Sequence, residues 1–146
     1  MHYFDTSFLA PLLLEEPTSL RVERVLSRLR GQELAVSHWT RVEFASLLAR
    51  EVRMGGLSSS EAREIEVEFD SAIEESFTVL LHSAEDFDLA KIYLGHHQTG
   101  LRAGDALHLA IARNHNCTAV YTLDKVFLKA GRQLGLPVSA GTSTPR

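Results

Sequence analysis

Four acids stand out in this sequence for where they fall: Asp5, Glu43, Asp105 and Asp124. Asp5 closes the short apolar run His2-Tyr3-Phe4, and Asp124 closes another that starts at Thr118; a helical pattern follows each. In open α/β sheets, ligands bind beyond the carboxyl ends of the strands, so acids at two such ends can converge. The plainer possibility is that each acid caps the helix after it, a favoured role for Asp. Asp105 lies in Ala103-Gly104-Asp105-Ala106-Leu107-His108-Leu109-Ala110-Ile111-Ala112, a helix apolar on nearly every side. A carboxylate there needs a partner, because an unpaired buried charge is very costly. The helix N-terminus, Arg102 or a divalent cation would each serve. Glu43 falls in Thr40-Arg41-Val42-Glu43, which also fits a capping box.

Such a set suits metal-assisted hydrolysis. Carboxylate oxygens are hard ligands for Mg²⁺ or Mn²⁺, and several crowded together repel unless a cation lies among them. Mg²⁺ keeps several waters, and a bound water loses its proton more readily than a free one. One ion can therefore polarise a phosphodiester and orient the attacking water, with no side-chain nucleophile. Motifs for other hydrolytic chemistries are absent from the sequence: it has no G-x-S-x-G elbow, no phosphate-binding glycine loop and no H-E-x-x-H. A phosphorylated signalling receiver needs an adjacent acidic pair near its first strand, whereas Asp5 is flanked by Phe4 and Thr6. A D-x-D phosphatase fails on Ser7, two residues after Asp5.

The elements that must position these acids alternate short apolar runs with longer helical periods, which predicts an α/β domain with a mainly parallel sheet. Strands are expected at His2–Asp5, Glu33–Ser37, Phe77–Leu81 and Thr118–Leu123, with a short edge strand after Pro137. Helices are expected from about Ser7 with Pro11 in the first turn, and from Pro17 to Arg30 with Gly31 as its C-cap. Further helices are expected over Thr40–Met54, from the Ser58-Ser59-Ser60-Glu61 capping box to Ser76, and over Ser83–Gln98, Arg102–Asn114 and Asp124–Leu134. No repeat or linker divides the chain. One domain is expected over 1–139, with a small, polar, frayed tail at 140–146.

The chain has 146 residues, 45% of them hydrophobic, and carries a formal net charge of −4. That length suits one core, and the composition argues against disorder. The single cysteine, Cys117, excludes an intrachain disulfide and a cysteine-type zinc site, and fits a reducing cytoplasm. No apolar stretch approaches the ~20 residues a membrane span requires. Nucleic-acid binders are usually basic, so the negative charge counts against simple duplex binding. Setting the four site acids aside, however, brings the 19 Asp plus Glu into balance with the 15 Lys plus Arg.

Three segments resemble the signatures of PIN-domain proteins: His2-Tyr3-Phe4-Asp5-Thr6-Ser7, Leu101 to Ala110 around Asp105, and Tyr121-Thr122-Leu123-Asp124-Lys125-Val126-Phe127. The likeness runs from Met1 to about Val138, and the compact length is similar to that of the VapC toxins of toxin–antitoxin pairs. Glu43 matches by position only. The resemblance implies a three-layer α/β/α fold and an endoribonuclease that uses Mg²⁺ or Mn²⁺. Asp5, Glu43, Asp105 and Asp124 would hold the metal directly or through water and assist deprotonation of the attacking water. Ser7 and Thr122 would be hydroxyls that orient them. The expected partners are RNA, a VapB-type antitoxin and a second copy of the chain, with no membrane. A non-catalytic scaffold of the same fold is the competing possibility.

Other features carry less. Lys125 and Arg102 are close enough in sequence to the acids to reach substrate. Arg21, Arg24 and Arg28 share one helix face, where RNA phosphates or an acidic antitoxin segment could bind; a solvated face is the simpler explanation. His96 and His97 would point about 100° apart on a helix and make a poor ligand pair. His108 could face Asp105 one turn away, although a core or orienting histidine is the simpler reading. Trp39 is read as an anchor for the turn before the third helix, and the acids from Glu61 to Glu75 as a solvated face.

Overall fold

The structure is a computed structural model that describes residues 1–142. Strand β1 (His2–Phe4) leads into a short helix α1 (Thr6–Leu9) and a 3-10 turn (Ala10–Leu12), then α2 (Ser19–Arg28) and β2 (Leu34–Ser37). Next come α3 (His38–Arg53), α4 (Ser59–Ser76), β3 (Thr78–Leu80), α5 (Ala84–Leu94) and a 3-10 turn (His97–Thr99). The chain closes with α6 (Ala103–Asn114), β4 (Ala119–Tyr121), α7 (Lys125–Gln133) and β5 (Val138–Ser139). Of the tail expected to fray, 143–146 lie outside the described residues, while the Gly141 carbonyl accepts from Arg28 at 3.1 Å.

The five strands form one parallel sheet in the order β3-β2-β1-β4-β5. From β1 the chain winds outward through β2 and β3, then crosses back to β4 on the other side of β1. The β1/β4 boundary is therefore the point where the winding reverses, and such a point opens a crevice at the strands' carboxyl ends.

Alternation along each strand makes the three layers. Tyr3, Ala35 and Val120 face one core with α5, α6 and α7, where Leu109, Ile111 and Phe127 are buried. Phe4, Val36 and Tyr121 face the other, against α1 to α4. There Phe44 of α3 stacks on Phe69 of α4 with ring centroids 4.0 Å apart. Among the described residues no helix is long and apolar enough to cross a membrane.

The second helix is shorter than expected, Ser19–Arg28 with Leu29 rather than Gly31 at its C-cap, and three other boundaries shift for local reasons. The first helix stops at Leu9, because Pro11 lacks the N–H that would continue it and disfavours helical backbone at the residue before it; the chain tightens into the 3-10 turn. The third helix starts two residues earlier than expected, at His38, with Ser37 as its cap and Thr40 Oγ1 accepting from Ser37 N at 3.3 Å. The fifth ends at Leu94, where Gly95, a poor helix former, closes it, so His96 and His97 are not helical neighbours on α5.

Gly131 shows how tightly α7 lies on the edge strand. A Cβ there would stand 2.4 Å from Val138 Cγ1 and 2.9 Å from Cγ2. Gly131→Ala is expected to destabilise the fold by about 1–3 kcal/mol, outweighing alanine's helix advantage of about 1 kcal/mol. An unchanged or raised urea midpoint would mean that β5 yields at little cost.

Candidate active site

The crevice at the β1/β4 boundary is where the acids meet. Asp5 follows β1, Asp124 follows β4, and α6 brings Asp105 beneath them from the second layer. The capping and site readings of Asp5 and Asp124 turn out to be compatible, because each acid divides its oxygens. Asp5 Oδ1 accepts from Phe8 N at 3.0 Å and so caps α1, while its Oδ2 accepts from Thr122 Oγ1 at 2.7 Å. Asp124 Oδ1 accepts from Val126 N and Phe127 N at 2.9 and 3.0 Å, capping α7, and its Oδ2 accepts from Arg102 at 2.7 Å.

Two hydroxyls knit the strand ends together. Ser7 Oγ donates to Asp5 Oδ1 at 2.8 Å and accepts from Leu123 N at 3.0 Å. Thr122 Oγ1 also accepts from Asp124 N at 3.1 Å, so one buried hydroxyl links both acids. Asp5 is itself buried. Burial pushes its carboxyl up from the ordinary range, against the pull of His108, Thr122, Ser7 and the Phe8 amide.

Asp105 has the least comfortable position. Its Oδ2 is buried and has no hydrogen-bond partner. Arg102 Nη2 stands 3.7 Å away, beyond hydrogen-bond range, and spends its short contact on Asp124. Burial first, then the neighbouring charges of Asp124 and Asp5, push the Asp105 carboxyl up to about 6 despite Arg102 and His108. A carboxylate raised in this way takes either a proton or a cation.

Glu43 enters from α3. The capping-box reading of Thr40 to Glu43 does not hold: Thr40 is itself the third helical residue, serving the Ser37 cap one turn earlier. Glu43 Oε1 instead accepts from Thr6 Oγ1 at 2.8 Å and bonds His108 Nε2. Burial would raise Glu43, but the His108 hydrogen bond and charge, with Thr6, bring it below its ordinary value. His108 is 1% exposed, and its Nδ1 meets Tyr3 Oη at 2.6 Å; Tyr3 Oη also bonds Ser37 Oγ at 2.9 Å. A buried polar chain thus runs from β2 through β1 and α6 to α3. Tyr3 and Thr6 carried no sequence signal beyond their place beside Asp5.

The remaining candidates are less engaged. Lys125 opens α7 exposed and makes no ion pair among the described residues. Trp39 sits within the first turn of α3 rather than before it, and packs at Gly104, where a Cβ would lie 3.4 Å from its ring and 3.0 Å from Glu43 Oε2. Gly104 thus lets α6 approach both residues. Asp86, a buried acid outside the crevice, is occupied by Ser83 N at 2.9 Å and Asn114 Nδ2 at 2.8 Å.

Among the described residues, no three His, Cys, Asp or Glu side chains close on one point as a ready ligand group. That pattern still suits Mg²⁺, which is held by one or two carboxylates and keeps its other positions for water. The orphaned Asp105 Oδ2 is the atom that most needs such a cation.

The PIN domain family model matches residues 2–133. No curated protein sequence matches the chain. Several solved structures share its fold. FitAcB from Neisseria gonorrhoeae superposes with a TM-score of 0.70 at 20% identity, covering 97% of this chain and 98% of its own. VapBC2 from Rickettsia felis, bound to a promoter DNA fragment, gives 0.71 at 16% identity over 95% and 98%. VapC20 from Mycobacterium tuberculosis, a sarcin–ricin loop cleaving toxin, gives 0.68 at 22% identity over 90% and 95%.

Proposed function

The chain belongs to the PIN-domain family, and on that footing we propose that it is a metal-dependent endoribonuclease, the toxin of a VapBC-type toxin–antitoxin pair. The observation that carries this reading is Asp105 Oδ2, buried among like charges with no hydrogen-bond partner and only the distant Arg102, 3.7 Å away, to offset it. A scaffold has no use for so costly an atom. The likeness to the VapBC2 and FitAcB structures supports a VapB-type antitoxin as partner, and the likeness to the sarcin–ricin loop cleaving VapC20 supports RNA as substrate; a second copy of the chain and a cytoplasmic setting belong to the same proposal.

Asp5, Asp105 and Asp124, with Glu43, would hold Mg²⁺ or Mn²⁺ directly or through water. When bound, such an ion supplies positive charge to the phosphodiester and acidity to a water. The protein's own groups do the rest. Ser7 and Thr122 keep Asp5 and Asp124 aimed at the crevice. Arg102, exposed at its mouth and already against Asp124, offers a planar fork to a phosphate oxygen. His108 and Thr6 hold Glu43 anionic. One of these acids would also take the proton of the attacking water.

The test is cleavage of total cellular RNA by purified, antitoxin-free protein with Mn²⁺, Mg²⁺ or EDTA. Discrete fragments that require metal are expected. Intact RNA with well-folded protein under every metal would favour the scaffold; fragments that persist in EDTA would remove the carboxylate mechanism. Thr122→Val, which strips one hydroxyl from both Asp5 and Asp124, is expected to slow cleavage roughly 10–100-fold. An unchanged rate would mean that the caps, with Ser7 on Asp5 and Arg102 on Asp124, aim these acids without Thr122.

A further inference from the structure

The three arginines of α2 do more than face solvent. Arg21, Arg24 and Arg28 recur at the spacing of one helical face, and all three are exposed. Among the described residues none of them pairs with an acid. Together with Ser27, Gly141 and Thr142 they line a concave cavity of about 560 Å³. Arg28 is fixed there by its bond to the Gly141 carbonyl at 3.1 Å. A solvated helix face is convex; this one is flanked by the chain leaving β5.

The cavity does not end at the arginines. Arg28, Gly141 and Thr142 also line a second cavity of about 190 Å³, together with Tyr121 and Ser139. Tyr121 is the last residue of β4, directly before Thr122, the hydroxyl that holds Asp5. The two cavities share Arg28, Gly141 and Thr142, so the lining of the arginine row runs on to the ring of Tyr121, the residue before Thr122.

Charge gives this lining a purpose. The crevice is anionic, and the chain as a whole carries a formal −4, so a polyanionic strand is repelled at its point of attack. It needs cations to one side, in a row, to hold the backbone that flanks the scissile bond. Arginine suits phosphate because its planar guanidinium donates in pairs. Resting on the proposed nuclease function, the geometry points to the Arg21–Arg24–Arg28 groove as the binding track for the phosphodiester backbone of single-stranded RNA. The track binds without reading sequence and runs from Arg21 to Tyr121.

The experiment measures binding of a labelled poly-uridine strand about 12 nucleotides long to the whole protein in EDTA, across a salt series. Each phosphate contact contributes about 0.7 to the slope of log affinity against log salt for single strands, so Arg21→Gln/Arg24→Gln/Arg28→Gln should flatten it by about 2. The triple lysine variant at the same positions should restore most of the slope, and Arg63→Gln, an exposed charge on α4, should change it little. An unaltered slope in the triple glutamine variant, with wild type still cleaving RNA in metal, overturns the track and leaves the nuclease standing. If that variant instead loses binding of poly-glutamate while RNA binding is unaffected, the face serves an acidic polypeptide and the track is equally overturned. Wild type that neither binds nor cleaves RNA removes both readings together.

Discussion

Asp105→Asn is expected to abolish cleavage and, in the same protein, to make the metal-free fold more stable at neutral pH. The two effects share one cause. The Asp105 side chain is 15% exposed, its Oδ2 has no hydrogen-bond partner, and burial with the charges of Asp124 and Asp5 lifts the carboxyl to about 6. In the unfolded chain it would titrate near 4. Between those values the folded state holds the proton more tightly, so stability falls as pH rises through the interval and stays low above it. Two units of displacement correspond to about 2–3 kcal/mol at neutral pH. Asparagine does not ionise and escapes this cost. Urea unfolding in EDTA should therefore show the two proteins diverging between about pH 4 and 6, with the variant more stable above. Added Mn²⁺ should stabilise wild type by mass action and leave the variant nearly unmoved. Full cleavage by metal-saturated Asp105→Asn would remove this residue from the site. Parallel pH curves for the two proteins would show that the carboxyl bears no such penalty when folded.

Asp5 and Asp124 are legible because strand ends are. A short apolar run that stops at an acid and turns helical carries a geometric meaning in a parallel sheet, and the β1/β4 reversal gives those two ends a common crevice. Asp105 is legible because an acid in an otherwise apolar helix demands a partner. Glu43 is different. Two overlapping turns, Ser37 to Thr40 and Thr40 to Glu43, both fit a helix start, and local sequence cannot choose between them. The exit of β2 decides, since Ser37 both bonds Tyr3 Oη and sits at the cap. The tie from Glu43 to His108 spans 65 positions, and that from His108 to Tyr3 spans 105. Only packing creates pairs so distant. The cavity beside the α2 arginines is hidden for the same reason: its other wall is Gly141 and Thr142, remote in sequence from them.

His108 is where those distant ties meet, and substituting it is expected to have the second large effect. The ring is buried, with Nδ1 against Tyr3 Oη and Nε2 against Glu43 Oε1. His108→Ala leaves a cavity beside Phe127 and deprives buried Tyr3 and half-buried Glu43 of a partner, although Ser37 still reaches Tyr3 and Thr6 still reaches Glu43. The expected loss is about 2–4 kcal/mol of stability. Cleavage should fall roughly 10–100-fold, because Glu43 loses the group that aims it and lowers its carboxyl, so burial pushes it back up. Two further variants separate packing from positioning. His108→Leu refills the space without a donor, and should recover stability but not activity. His108→Gln keeps an amide N–H for Glu43 and should recover part of the rate. Full cleavage by His108→Leu would mean that Glu43 needs only a filled core behind it, and the imidazole would then be a packing residue that happens to be polar.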